Sequence, residues 1–124
     1  MKHSLISKAE IERSKFNEEI IRDTASQVIK DFATFGLYIN FPEDIHYAYD
    51  DLFDQLVLHI EELMKVNPEK LSSLLYQIDI DEKKMHYSKP EAFHEHEWVT
   101  EMILEREFMK VLTRHYFKNH PDKL

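Results

Sequence analysis

Residues 43–66 read EDIHYAYDDLFDQLVLHIEELMKV, and at 100° per residue Ile45, Tyr49, Leu52, Phe53, Leu56, Ile60, Leu63 and Met64 share one face. Asp50, Asp54, Glu61 and Lys65 fall on the opposite face. A half-buried strand alternates every second residue, whereas this stretch repeats every three to four, so it specifies a core-facing helix.

The pattern extends in both directions from this helix. Downstream, Asn67-Pro68 supplies an N-cap and a first-turn proline for a shorter helix over 68–78. It carries Leu71, Leu74, Leu75 and Ile78 at i, i+3, i+4 and i+7. Asp79 and Glu82 have capping-box spacing for one more turn through Met85. Ser88 and Glu91, around Pro90, open a last helix over 89–118. Its apolar residues, among them Trp98, Met102, Ile103, Phe108, Met109 and Leu112, spread over most of its circumference, as in a central helix or an assembly surface. Upstream, Ile11, Ile21, Ala25, Val28, Ile29 and Phe32 make one stripe over 7–35, and Gly36 ends that helix as a left-handed cap. Residues 35–41 are apolar but short and read as a connection, with an isolated strand as the other option. Asn40 and Pro42 fit the approach to the next helix.

The expectation is an all-α fold: one domain over 1–124, a bundle of three long helices at 7–35, 43–66 and 89–118 plus a short one at 68–78. Composition agrees. A single glycine and four prolines are too few for the turns of a β-rich fold, and 43% hydrophobic residues are too many for a disordered chain. One glycine also cannot build a P-loop, a Rossmann turn or a nucleophile elbow, each of which brings backbone N–H groups close to an anion or oxyanion. The absence of cysteine removes disulfides, thiolate metal sites and cysteine nucleophiles. A net charge of −8 with no basic stripe argues against nucleic acid as a partner. No apolar run approaches a membrane span, and the N-terminal stretch offers only Leu5 and Ile6 where a secretory core would stand. A cytoplasmic protein without membrane contact is expected.

Eight histidines among 24 acidic residues invite a search for metal ligands. Glu43-x-x-His46 and Glu91-x-x-His94 have di-iron spacing, but both lie in first turns, where the helix dipole favours acids. In the run 94–97, His-Glu-His-Glu, neighbouring side chains diverge on a helix. Asp79 and Asp81 start an EF-hand-like series that Lys83 and Lys84 break.

A sharper set comes from polar residues that interrupt apolar stripes: Glu18 on the first helix, His59 on the second and Glu105 on the last. If the long helices alternate in direction, Glu18 and His59 fall near the same level. Burying such groups together demands a partner or a cation. They are the candidate divalent-metal ligands, with carboxylate oxygens and one imidazole nitrogen. The ordinary reading has Arg106 neutralise Glu105 or Glu18 while His59 makes one hydrogen bond.

Phe16, Ile20, Tyr47 and Leu58 fall off the main stripes, and together with the broad apolar arc of the last helix they suggest a contact surface. The functional expectation is a non-enzymatic regulatory, adaptor or accessory protein that works by protein–protein contact and needs no cofactor. Its partner would be a foreign protein or a second copy, joined in a homodimer through the last helix. The alternative is a divalent-metal-binding bundle or enzyme that uses Glu18, His59 and Glu105.

Overall fold

The computed structural model describes residues 6–123; Leu5 of the N-terminal apolar pair lies outside them, as do the two ends of the expected 1–124 domain. Among the described residues there are six α-helices and no strand: α1 (Lys8–Ser14), α2 (Glu18–Ala33), α3 (Ala48–Val66), α4 (Pro68–Ile78), α5 (Glu82–Tyr87) and α6 (Glu95–Asn119). The all-α class, with long helices packed on one another, is as expected.

The first expected helix is two. The Asn17 side chain accepts from Ile20 N and starts α2 afresh, while the Lys15 N–H turns back to Arg13 O and closes α1. A polar side chain that competes for backbone N–H groups stops a helix where periodicity alone would continue it. At the far end, Gly36 takes φ +75° and Leu37 N reaches Phe32 O, so the left-handed cap forms where its glycine stands.

After the turn at residues 34–36, residues 37–44 form a connection, not a strand, held along α3 by Gln55. Its amide accepts from Asn40 N at 2.8 Å and donates to Asn40 O at 2.9 Å. Asp44 then caps a 3-10 turn (Ile45–Tyr47) that leads into α3, so the α-helix begins five residues later than its expected start at residue 43.

α4 matches its expected span, with Asn67 accepting from Lys70 N. The next turn differs. Asp79 is not an N-cap: it adopts φ 72° and ends α4, and Asp81 caps α5 by accepting from Lys83 N and Lys84 N. Ser88 likewise ends α5, donating to Met85 O, instead of opening the last helix. α6 starts at Glu95, where His94 N donates to the Glu97 carboxylate. In both places the competing cap lies two to six residues further on and is the one nearer the next packed turn.

α6 is the central element and packs chiefly on α2 and α3. The pairs Asp23–His115, Gln27–Arg114 and Asp31–Lys110 run in opposite directions along α2 and α6. Tyr49 on α3 packs edge-on against Phe108 of α6 at 6.2 Å. A cleft formed by Phe53, Asp54 and Glu101 lies further along α3 and earlier on α6. Both α2 and α3 therefore run counter to α6, and strict alternation along the chain does not hold.

The main core joins Val28 and Phe32 of α2, Leu52, Leu56 and Ile60 of α3, Leu74 and Ile78 of α4, and Val99 and Ile103 of α6. All these side chains are essentially inaccessible, each stabilising the fold by about 2 kcal/mol through burial. A second cluster joins Ile6 and Ile20 to Phe108, Val111 and Leu112. Ile20, expected on a contact surface, is thus buried, because the restart at Asn17 turns that face of α2 inward. Phe16, Tyr47 and Leu58 are exposed. No helix among the described residues is long and apolar enough to cross a membrane.

Candidate functional site

Two regions, both involving α6, carry chemistry beyond packing. The first is a groove. Met102, Arg106 and Met109 stand at i, i+4 and i+7 and form one wall. Ile80 and Met85, from the α4–α5 corner, form the other, and the space between them is about 560 Å³.

The corner is tied down from α6. The Arg106 guanidinium lies 3.0 Å from Asp79 Oδ2, and its Nε donates to Asp79 O at 3.3 Å. The Trp98 indole N–H donates to Met85 O at 2.8 Å, and Phe93 packs edge-on against Trp98. Lys89 donates to Phe93 O at 2.7 Å, closing the loop between α5 and α6. Met85, Met102, Met109 and Ile80 supply its apolar surface, and Asp79, Asp81, Lys84, Ser88, Glu105 and Arg106 supply its polar side chains.

The second region is a polar seam between α2 and α6. Glu19, Asp23, Gln27 and Asp31 recur every four residues along α2 and so share a face. Opposite them, Glu107, Lys110, Arg114 and His115 come from α6. Arg114 donates to Gln27 Oε1 at 3.3 Å, and Gln27 donates to both Asp31 oxygens at 3.2 Å. The Lys110 ammonium reaches Glu107 at 3.3 Å and Asp31 at 3.7 Å.

Glu107 has no exposed surface, and neither of its carboxyl oxygens makes a well-aligned hydrogen bond. Burial, with the Asp31 carboxylate alongside, pushes its pKa up to about 8 against the partial offset of Lys110. At neutral pH it is therefore mostly protonated. Tyr49, sequestered beside Thr24, is pushed up to about 12, mainly by burial.

At the end of the seam away from the groove, the donor atoms of Glu19, Asp23 and His115 lie within 4.8 Å of one another. His115 Nε2 is 2.7 Å from Asp23 Oδ2. The cluster adjoins a cavity of about 180 Å³, to which Glu10, Asn17 and His120 also contribute.

The residues singled out from sequence are elsewhere. Glu18 is exposed in the first turn of α2 and pairs with Arg22 at 2.8 Å. Glu105 is exposed on the groove rim, 3.9 Å from Lys15. His59 is half-buried on α3. The three do not converge, since among the described residues Glu19, Asp23 and His115 are the one gathered set of potential ligands. Arg106 neutralises neither Glu18 nor Glu105; it serves Asp79. His94 caps α6, and His86, on α5, pairs with Glu95.

Glu107 had a legible signal. It stands midway between Ile103 and Val111 at i, i+4 and i+8, and so interrupts the most buried stripe of α6. That signal was masked because apolar residues surround α6 almost entirely, leaving its inward direction undefined. Compared with known proteins, the chain matches no family model, no curated protein and no solved structure.

Proposed function

We propose that this protein works by contact, holding an amphipathic helical segment rich in basic residues in the groove between α6 and the α4–α5 corner. The observation that carries the reading is the groove itself. Its walls are fixed by Arg106 and Trp98, and its apolar surface comes from three methionines, Met85, Met102 and Met109, together with Ile80. Unbranched, polarisable thioethers adapt to the apolar face of an incoming helix. The volume suits a few inserted side chains. Tyr76 and Tyr87, among the most exposed aromatic residues, sit on the helices of the same corner, where rigid rings add contact area. A net charge of −8 favours a cationic partner and opposes a second copy of the same chain.

Titration with a labelled leucine–lysine helical peptide tests the proposal, read by fluorescence anisotropy and by Trp98 emission, since Trp98 is bonded to the groove residue Met85. The expected result is saturable binding, weakened about tenfold or more by Met102→Lys and Met109→Lys, a loss of about 1.4 kcal/mol. Equal binding of a leucine–glutamate peptide, or unchanged binding by the variants, overturns it. A mass that doubles with concentration in light scattering, and falls back to monomer in Met109→Lys, assigns the groove to a second copy.

A further inference from the structure

We propose that Glu19, Asp23 and His115 form a divalent-cation site that clips α2 to the C-terminal half of α6. It is independent of the groove, which α2 does not line.

Three features support it. First, Glu19 and Asp23, one turn apart on α2, project from the same face toward His115, which comes from a different helix. A site whose ligands come from two packed elements is set by the fold. Second, the His115 side chain is only 16% exposed and Asp23 47%, while Glu19 is exposed. The imidazole is thus held in place by packing, and the carboxylates leave an open path for a hydrated ion. Third, the two guanidinium groups nearest in sequence are turned away: Arg22 to Glu18 and Arg114 to Gln27. Among the described residues, neither Glu19 nor Asp23 is paired with a guanidinium.

The geometry fits a first-row metal. Ligand atoms about 2.1 Å from a common ion stand roughly 3.0–3.5 Å apart. The 2.7 Å separation of His115 Nε2 from Asp23 Oδ2 needs a small widening, and exposed Glu19 needs one rotamer adjustment to close the remaining distance. Two carboxylates with one neutral imidazole balance a dication. The single nitrogen ligand selects Zn²⁺, Mn²⁺ or Fe²⁺ over Ca²⁺ and Mg²⁺, which take oxygen shells. Glu10 and His120 edge the adjoining cavity, within reach of water molecules that would complete the coordination.

Calorimetric titration of the chelator-stripped full chain with Zn²⁺, repeated with Mn²⁺ and Ca²⁺, tests the site. One equivalent of Zn²⁺ is expected to bind and to raise the melting temperature. His115→Ala and Asp23→Asn should each weaken binding about tenfold or more, comparable to or beyond the effect of disturbing an outer-shell partner. Exposed Glu19→Gln should weaken it without touching the fold, which keeps the test valid if the His115 variant unfolds. Glu18→Ala should leave binding unchanged. Absence of saturable binding overturns the proposal. So does Ca²⁺ binding as tightly as Zn²⁺, or loss of binding in His96→Ala instead of His115→Ala.

Discussion

The two faces that helices present to α6 solve the same packing problem in opposite ways. The core that α6 shares with α3 and α4 is dry: Leu52, Leu56, Ile60, Leu74, Ile78 and Ile103 are inaccessible and carry no polar side-chain atom. Where α2 meets it, Thr24, Asp31 and Glu107 are buried as deeply, and Lys110 and His115 are partly so. The dry side depends on area and shape, which pH does not alter. The seam depends on protons, because Glu107 cannot be ionised there without a large desolvation cost beside Asp31. A chain that needed stability alone would fill such a seam with leucine, so the retained polar groups make it the place to look for a ligand.

The largest expected effect breaks the dry side. Leu56→Ala should lower the unfolding free energy by about 2–5 kcal/mol, by the same amount at pH 5 and pH 8, in urea denaturation followed by circular dichroism. A loss that depended on pH would mean that the two faces are coupled.

The next sharpens the contrast from the seam. Glu107 titrates near 8 in the folded chain against an ordinary value of 4.5. Its folded-state pKa is raised, so its stabilising contribution is full below pH 4.5 and declines as the unfolded chain ionises, until both states are ionised above pH 8. Glu107→Gln keeps the shape and removes the titration. The variant should flatten the fall in stability between about pH 5 and 8 and exceed the parent by on the order of 2 kcal/mol at pH 8.5. Parallel pH profiles would show that Glu107 is already ionised in the folded state.

The smallest effect concerns Glu18. Its pair with Arg22 is solvent-exposed, so Glu18→Ala should shift the unfolding free energy by less than about 0.5 kcal/mol. A loss above 1 kcal/mol would return it to the interior role that its position in the stripe suggested.

That misplacement shows what periodicity can carry. The stripe through Ile11, Glu18 and Ile21 is continuous only if the helix is, and the Asn17 cap makes it two helices with different inward faces. Leu52, Leu56 and Leu63 posed no such problem, because α3 runs without a break and has one charged side. On α6 the apolar residues point nearly everywhere, and the neighbours decided which polar residue was enclosed: Glu107, facing α2, and not Glu105, facing water. Glu19, Asp23 and His115 could not be linked from sequence at all, since 92 residues separate Asp23 from His115 and only the packing direction of α2 on α6 joins them.

By itself the sequence determined the helical class, the span of α4, the glycine cap after α2 and the acidic, cysteine-free surface. All of these follow from forces acting within about a turn of the chain: periodic burial, capping hydrogen bonds and backbone sterics. Tertiary structure decided where the first helix breaks, that α2 and α3 both oppose α6, which carboxylates are buried and which histidine meets them. Those outcomes depend on the relative orientation of helices, and orientation is chosen by the fit of whole surfaces against each other, a quantity that no local pattern encodes.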